Sequence, residues 1–133
     1  MAAPFSSSSV SISDSFDSGN IRRVPSSSDD IVNLEIKDDV FTELEACNHK
    51  QWFYFKSAFR KPLTEPTSLT YSIVNAGKAS FPTAWPGTTI FFSYDRRNWR
   101  RALTTDYDKE NGVLKWVFAH EKGSRGVYFS ECN

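Results

Sequence analysis

Residues 51–56 read Gln51-Trp52-Phe53-Tyr54-Phe55-Lys56, four consecutive aromatic side chains between two polar ones. Aromatic side chains fit a pleated, half-buried surface, and successive residues of a strand point to opposite faces of the sheet. The run therefore predicts a central strand that is covered on both faces. The alternative is a strand with one partly exposed aromatic face, because exposed apolar side chains are common on proteins.

Further segments on both sides of this run alternate apolar and polar residues with the period of a half-buried strand. Their apolar positions are Val32, Leu34 and Ile36; Leu69, Tyr71 and Ile73; and Leu114, Trp116 and Phe118. Thr88–Tyr94 and Val127–Phe129 also have the composition of strands. Short strands at this spacing, without a long helical segment between them, predict an all-β fold that is an antiparallel β-sandwich or a barrel.

Polar turn segments separate the predicted strands. They are Asn75–Lys78, Asp95–Asn98, Asp108–Gly112 and Gly123–Gly126. Asp95–Asn98 fits a hairpin connection that leads into Trp99. Asp39–Ala46 is the one segment with apolar residues at helical spacing, and it is too short to form a stable helix alone.

The chain has 133 residues, the size of one domain, and such a domain can form a core without a metal or a disulfide. Residues 1–15 are rich in serine and nearly uncharged, so we expect them to form a flexible tail. Residues 16–133 are then the folded domain. The chain stops almost directly after the last predicted strand, which favours a piece of a longer protein. A natural end at this position is the alternative.

Positive and negative charges balance over the whole chain but not along it. Lysine plus arginine and aspartate plus glutamate both number 16, which argues against nucleic acid or a membrane surface as the partner. Residues 29–45 nevertheless hold seven carboxylates and one lysine. Residues 96–101 hold four arginines, which are Arg96, Arg97, Arg100 and Arg101.

These four arginines are the candidate partner-binding site, because a guanidinium group binds a carboxylate through two parallel hydrogen bonds. In an extended strand the side chains would alternate, with one face formed by Arg96, Asn98 and Arg100 and the other by Arg97, Trp99 and Arg101. The acceptor is either an acidic partner, such as a protein tail, or the chain's own acidic residues 29–45. A solvated surface without a bound partner is the third possibility.

Residues that carry catalysis or bind metals are scarce. The two histidines, His49 and His120, have no second ligand at metal-binding spacing and are predicted to be surface or strand-end residues. The sequence lacks a Gly-x-Ser-x-Gly nucleophile elbow and a phosphate-binding loop. The carboxylate pairs Asp29-Asp30 and Asp38-Asp39 lie in polar, turn-like stretches. We therefore predict no catalytic residue, no metal site and no cofactor in this chain.

The cysteine content is that of an intracellular protein. Two cysteines, Cys47 and Cys132, are too few for a small secreted domain that depends on disulfides. Neither a signal peptide nor an apolar run of membrane-spanning length is visible. We expect a cytoplasmic protein with two reduced thiols, and a bridge between the two cysteines is the alternative.

Five motifs resemble consecutive motifs of the cytosolic carboxypeptidase family, and the likeness runs from about residue 16 to the C-terminus. They are Phe16-Asp17-Ser18-Gly19-Asn20; Gln51-Trp52-Phe53-Tyr54-Phe55; Tyr71-Ser72-Ile73-Val74-Asn75; Tyr94-Asp95 with Trp99-Arg100-Arg101; and Tyr128-Phe129-Ser130. Each motif alone is weak evidence, but their common order makes the set more specific.

The resemblance implies a β-sandwich that precedes a zinc carboxypeptidase domain. Family members are similar to enzymes that remove C-terminal glutamates from tubulin and other proteins. Their zinc ligands, substrate-binding arginine and catalytic glutamate belong to the following domain, and this chain has no His-x-x-Glu motif onto which they could be mapped. We therefore expect a non-catalytic accessory domain that supports folding, substrate access or partner binding, with an exposed apolar patch where the catalytic domain would sit.

The alternative is a free-standing carbohydrate- or peptide-binding module, since sandwiches host many functions. Such a module would use Trp85 or Trp99 as an exposed aromatic residue in a concave site. A third hypothesis, that the isolated chain is itself a hydrolase, is suggested by the resemblance alone.

Overall fold

The structure is a computed structural model that describes residues 10–14, 20–26, 28–37, 53–78 and 89–130, with the backbone alone at 102–104. Ten strands lie within these residues: β1 (Val10–Ser13), β2 (Arg22–Val24), β3 (Ile31–Glu35), β4 (Tyr54–Phe59), β5 (Thr67–Ile73), β6 (Thr89–Ser93), β7 (Arg100–Thr104), β8 (Asp106–Asp108), β9 (Val113–His120) and β10 (Gly126–Ser130). A single 3₁₀ turn, Ala76–Lys78, follows β5.

The strands form two five-stranded sheets that pack face to face. Sheet 1 has the strand order β1-β4-β10-β6-β7, and sheet 2 has the order β2-β3-β5-β9-β8. Aromatic rings join the two inner faces. Phe53 stacks on Trp116 with ring centroids 5.6 Å apart, and Phe129 packs against Tyr71 at 4.8 Å. The predicted β-sandwich is confirmed.

Strand β9 shows how residue alternation produces the core. Buried and exposed residues alternate along it, and the buried ones are Leu114, Trp116, Phe118 and His120. Val32 and Leu34 of β3 are buried in the same alternating way. Each large apolar side chain removed from water contributes about 1.5–3 kcal/mol, so the predicted period-two pattern accounts for much of the stability of the sandwich.

Strand β4 differs from its prediction. It is an interior strand, because it pairs with β1 on one edge and with β10 on the other. Its burial alternates, however: Phe55 and Phe59 are buried, whereas Tyr54 and Lys56 are half-buried. The prediction of a strand covered on both faces is wrong for these residues. A sandwich covers one face of each sheet, so the alternative with a partly exposed aromatic face fits the structure.

One strand pair also departs from a purely antiparallel sandwich. Strands β3 and β5 run parallel, with Ile31 opposite Thr70 and Leu34 opposite Ile73, whereas the other pairs among the described strands are antiparallel. Between them the chain contributes β4 to sheet 1 and then returns to sheet 2. Such a crossover brings the chain back in its original direction, which makes the two strands parallel.

The predicted flexible tail is wrong at Val10–Ser13. These residues form β1 and pair with β4, so that Val10 lies opposite Phe59. Val10 is only 2% exposed, and Ile12 packs against the core. The serine-rich composition concealed a short alternating segment, Val10-Ser11-Ile12-Ser13, in which Val10 is buried and Ile12 is partly buried. Residues 1–9 lie outside the described part of the chain.

Several other predictions concern residues that the structure does not describe. These are the helical candidate at 39–46, both cysteines, His49, Trp52 and Trp85. The predicted turns at 95–98 and 108–112 are confirmed, since they connect β6 to β7 and β8 to β9.

Gly126 permits a close approach between β10 and β4. Its φ angle is 146°, and a Cβ atom there would lie 2.5 Å from the carbonyl oxygen of Ser57 and 2.8 Å from the Cα of Ala58. Gly123 also has a positive φ, 86°, but a Cβ atom there would meet nothing within 4 Å. A comparison of alanine substitutions at the two positions therefore separates the effect of backbone strain from that of steric overlap.

We expect Gly126→Ala to lower the free energy of unfolding by about 3 kcal/mol, because it adds overlap with β4 to an unfavourable φ. Gly123→Ala is the matched control and should cost about 1 kcal/mol, since it introduces the strain alone. Urea denaturation of both variants measures the difference. Equal destabilisation would contradict the close approach of β10 and β4 at Gly126.

Candidate functional site

The side chain of Asp95 builds the hairpin that carries the candidate arginines. Its Oδ1 atom accepts hydrogen bonds from the backbone N–H groups of Arg97 and Asn98 at 2.8 and 2.9 Å. Its Oδ2 atom accepts one from Nδ2 of Asn98 at 2.9 Å. These bonds, with the one from the Asn98 backbone foremost, hold the pKa of Asp95 well below its usual range. The turn between β6 and β7 is thus organised around an ionised carboxylate.

Arg96, the residue after Asp95, adopts a left-handed backbone conformation with φ of 68°. Its guanidinium carbon lies 5.7 Å from the ring centroid of Tyr54 and 5.6 Å from that of Tyr128, within cation–π range of both. Its Nε atom donates a hydrogen bond to the Tyr54 hydroxyl at 3.0 Å. The turn therefore places the side chain of Arg96 against the outer face of sheet 1.

Further aromatic and basic side chains complete this outer surface. Trp99 meets the Tyr54 ring edge-on at 5.7 Å, and Tyr128 lies 6.5 Å from Tyr54. The Nζ atom of Lys56 lies 5.4 Å from the centroid of Tyr128. The three aromatic residues are half-buried within this chain. We call the five residues Tyr54, Lys56, Arg96, Trp99 and Tyr128 the aromatic face.

The predicted alternation of these side chains holds within β7 and fails across the turn. Arg100 and Arg101 lie opposite Phe92 and Phe91 in the β6–β7 ladder, so they alternate between the two faces as predicted. Arg96 and Trp99, which were assigned to opposite faces, both contact Tyr54. The reason is that residues 95–98 form a turn and not an extended strand, so the period of two does not continue through them. Arg97 is exposed at the tip of this turn.

The cavity next to Arg100 and Arg101 forms where one strand changes sheets. Strand β7 belongs to sheet 1, and after Thr105 the chain continues as β8 in sheet 2. The cavity lies beside the second half of β9 and has a volume of about 400 Å³. We call this cavity the β9 groove, and it is lined by Phe92, Tyr94, Arg100, Arg101, Val117, Phe118, Ala119 and Glu121.

The β9 groove concentrates exposed apolar surface and positive charge. Tyr94 is 49% exposed and Val117 48% exposed, and within the described residues they are the large hydrophobic side chains that reach such exposure. Among those same residues, Arg100 and Arg101 have no carboxylate within ion-pair distance. Partial burial raises the pKa of the Tyr94 hydroxyl, Glu121 adds to the rise, and Arg100 opposes it. The groove therefore combines exposed apolar side chains with two arginine residues in its lining.

Two ion pairs involve the described part of the chain's own acidic stretch, and one of them joins its lysine, Lys37, to Asp14 at 2.5 Å. Glu35 pairs with Arg22 at 2.6 Å, on the far sheet from the arginine hairpin. Residues 38–45, which hold four of the seven carboxylates, lie outside the described residues. Trp99, one of the two residues proposed for a carbohydrate-binding module, is half-buried against Tyr54. The other, Trp85, lies outside the described part.

His120 lies at the end of β9, as predicted, but it is buried and not on the surface. Its Nε2 atom lies 2.7 Å from the hydroxyl of Tyr71, which lies 2.8 Å from Oγ of Ser57. Burial lowers the pKa of His120 to about 4 and raises that of Tyr71 well above its usual value. All three side chains are closed off from solvent. This Ser57–Tyr71–His120 chain therefore stabilises the interior and is inaccessible to a substrate.

Within the described part of the chain, no three His, Cys, Asp or Glu side chains come close enough together to hold a metal ion. No helix among the described residues has the length and apolar character needed to cross a membrane.

Comparison with known proteins identifies the fold at the level of a family. The sequence profile of the cytosolic carboxypeptidase N-terminal domain matches residues 12–131. The chain belongs to this family. A comparison with curated proteins gave no match. The family assignment agrees with the resemblance that the five sequence motifs indicated.

Similar solved structures are metallo-carboxypeptidases from bacteria. The enzyme from Burkholderia cenocepacia is 25% identical with a TM-score of 0.70, and the match covers 91% of this chain and 28% of that one. The Pseudomonas aeruginosa enzyme, in complex with (2-guanidinoethylmercapto)succinic acid, is 30% identical with a TM-score of 0.70. The match covers 90% of this chain and 28% of that one. A putative carboxypeptidase A from Shewanella denitrificans is 30% identical with a TM-score of 0.68 and the same coverage. This cytosolic carboxypeptidase N-terminal domain thus spans just over a quarter of those proteins.

Two asparagines of the family-like motifs have structural roles that the sequence alone did not reveal. The side chain of Asn75 accepts a hydrogen bond from the N–H of Ile36 and donates one to its carbonyl, both at 2.9 Å. Asn20 accepts a hydrogen bond from the N–H of Lys37 at 3.2 Å, and its own N–H donates to the Tyr54 carbonyl at 2.8 Å. The two asparagine side chains therefore form the hydrogen bonds that a neighbouring strand would otherwise form with the backbone of residues 36–37, directly after β3. Asn20 also connects this backbone to sheet 1 through Tyr54.

We expect the stability of the chain to depend on pH through His120. Its folded pKa of about 4 lies below the ordinary value of 6.5, so the unfolded chain binds the proton more readily. This stability is fully present above pH 6.5 and decreases as the pH falls toward 4, by up to about 3 kcal/mol. Urea denaturation across this range measures it.

The variant His120→Gln serves as the control, because glutamine does not titrate. The difference in the free energy of unfolding between wild type and variant should narrow as the pH falls from 6.5 to 4. A difference that stays constant over this range would show that His120 does not lose its proton preferentially in the folded chain.

Proposed function

We propose that this chain is a non-catalytic accessory domain that packs against a zinc carboxypeptidase domain of the same polypeptide. The match to the cytosolic carboxypeptidase N-terminal domain over residues 12–131 carries this proposal. The similar metallo-carboxypeptidases support it, since this chain accounts for 28% of their length. The remaining length leaves room for a separate catalytic domain.

The aromatic face is the surface proposed to contact that domain. Tyr54, Trp99 and Tyr128 form a cluster of rings on the outer side of sheet 1, and this cluster is only half-buried. Tyrosine, tryptophan and arginine are enriched at the centres of protein interfaces, where they combine a large apolar area with a polar end. Arg96 is already held against two of the rings, so little side-chain entropy would be lost when a partner covers it.

The family assignment supports a proposal about the chemistry of the whole protein. The parent enzyme is proposed to be a cytoplasmic zinc metallocarboxypeptidase that removes C-terminal glutamates from tubulin or other acidic proteins. The zinc would be held by the following domain, because no group of His, Cys, Asp or Glu side chains suited to a metal occurs in the described part of this one. This domain would support the folding of the catalytic domain and shape access to its active site. The isolated chain, supplied with zinc and a polyglutamate peptide, should release no glutamate.

We expect the parent polypeptide to lose soluble, active enzyme when Tyr54→Ser and Tyr128→Ser are combined, because the proposed contact with the catalytic domain would lose its rings. The soluble yield and the rate of glutamate release from a glutamylated tubulin tail peptide are the measurements. Tyr94→Ser is the matched control, since Tyr94 is an exposed tyrosine outside the aromatic face. It should leave both quantities unchanged.

The same double variant in the isolated 133-residue chain tests whether the substitutions unfold the sandwich itself. Its thermal unfolding should remain cooperative, with a modest decrease in midpoint. Unchanged yield and activity of the parent double variant would reject the aromatic face as the contact surface. A coding sequence that continues without a His-x-x-Glu motif and a later histidine would reject the accessory function as a whole.

A further inference from the structure

We propose that the catalytic domain presents carboxylate groups to the outer face of sheet 1, where they pair with Lys56 and with Arg101. This inference rests on the proposed function, because it assumes that the catalytic domain covers this face. It adds the chemistry of the partner surface, which is acidic, and it extends the contact to Arg101, which lies outside the aromatic face.

The ladders of sheet 1 carry its outer face across the strands in two rows of side chains that point the same way. The row through Lys56 consists of Ser13, Lys56, Tyr128 and Ser93. The row through Tyr54 consists of Tyr54, Ser130, Phe91 and Arg101. Arg101 therefore shares a face with Tyr54 and Tyr128. Arg100, which lies opposite Phe92, is directed to the other side.

These two rows contain positive charge without a carboxylate of their own. Neither row includes an aspartate or a glutamate. Asp95, in the turn next to Arg96, uses both carboxylate oxygens in hydrogen bonds within residues 93–98. Among the described residues, no carboxylate lies within ion-pair distance of Lys56 or Arg101. The described part of the chain therefore supplies no acidic partner to either side chain.

Lys56 has the strongest need for such a partner, because of its place in the sheet. It lies in β4, an interior strand between β1 and β10, and its Nζ atom is 5.4 Å from the ring centroid of Tyr128. A domain that covers the rings of Tyr54 and Tyr128 would also remove this ammonium group from water. A buried charge without a partner is strongly destabilising, whereas a carboxylate in contact with it compensates for lost hydration. The covering surface therefore has to place a carboxylate opposite Lys56.

Arg101 lies at the border of the same face, on β7, the outermost strand of sheet 1. Its side chain is exposed, and its ladder partner Phe91 is half-buried. Charge pairs at the rim of an interface select the correct partner, and a guanidinium group binds a carboxylate through two parallel hydrogen bonds. A second carboxylate opposite Arg101 would therefore fix the orientation of the catalytic domain on the face.

The position of β10 favours the following domain over other occupants. The family match ends at residue 131, one residue after β10, which is the middle strand of sheet 1 and ends opposite Tyr54. Under the proposed function, the chain leads from this strand to the catalytic domain, and the covalent connection gives that domain a high effective concentration at the face. A second copy is disfavoured, because a symmetric pair would bring two sets of Lys56 and Arg101 together without carboxylates from either row.

Cross-linking of the parent polypeptide with a water-soluble carbodiimide tests the pairing of Lys56. The reagent activates a carboxylate, which forms an amide with a lysine amine in contact with it, and mass spectrometry identifies the linked peptides. We expect Lys56 to be linked to an aspartate or a glutamate of the catalytic domain. Lys56→Arg should lose this link, because a guanidinium group does not form the amide. Lys115, opposite Asp106 in sheet 2, is the internal control and should form no link to the catalytic domain.

Charge removal tests both residues together. Lys56→Gln combined with Arg101→Gln should lower the thermal midpoint of the parent polypeptide by about 5 °C or more, since it leaves the partner carboxylates unpaired. In the isolated 133-residue chain the same variant should shift the midpoint by no more than about 2 °C, because neither residue has an ion pair within the described part. Lys109→Gln combined with Lys115→Gln is the matched control, since both lysines are exposed on sheet 2 or its last turn. It should leave both midpoints within about 2 °C of wild type.

Several outcomes would overturn the acidic pairing, and they are distinct from failure of the proposed function. If Tyr54→Ser with Tyr128→Ser lowers the yield of the parent enzyme while Lys56 forms no link to the catalytic domain, the contact stands and the pairing is wrong. Equal shifts of the midpoint in the parent and in the isolated chain would assign Lys56 and Arg101 to the sandwich itself. A dimer of the isolated chain in sedimentation, lost when both residues are changed to glutamine, would assign the face to a second copy. Saturable binding of a glutamylated tubulin tail peptide to the isolated chain, lost in that same variant, would assign it to a substrate.

Discussion

The contact between aromatic rings across the two sheets is the interaction on which the rest of this structure depends. Trp116 lies at its centre, stacked on Phe53 at 5.6 Å and on Tyr71 at 5.5 Å, with Phe129 edge-on at 5.5 Å. These rings come from four separate segments of the chain, so they hold both sheets together at one place. Polar atoms within this interior need partners, and Tyr71 supplies one by linking Ser57 and His120.

The two candidate surfaces arise where this arrangement meets its edges. A sandwich buries one face of each sheet, so Tyr54 of β4 and Tyr128 of β10 lie on the other face and are only half-buried. The chain passes from β7 in sheet 1 to β8 in sheet 2, and β8 pairs only with residues 113–115 of β9. The aromatic face and the β9 groove are therefore consequences of the fold and carry different chemistry. One is dominated by rings, and the other combines exposed apolar side chains with two arginines in its lining.

Residue order predicted the strands well because burial on one face of a sheet imposes a period of two. Val32 and Leu34, and the buried residues of β9, show this directly. The same order identified the arginine cluster and the Asp95 turn, but it could not place the arginines. Their position depends on the turn at residues 95–98, within which Arg96 has a left-handed backbone conformation. Val10–Ser13 was missed because a four-residue strand gains its stability from β4 and not from its own composition.

Local sequence was thus sufficient for the positions of β3, β4, β5, β6, β9 and β10, the hairpin turn and the family, because each depends on residues that are close together in the chain. Folding in three dimensions was needed for the parallel pairing of β3 with β5, the burial of His120 and the meeting of Arg100 and Arg101 with Val117. Each of these brings together residues from distant strands. The order of strands in a sheet depends on which apolar faces pack together in the core. A short stretch of sequence does not contain that information.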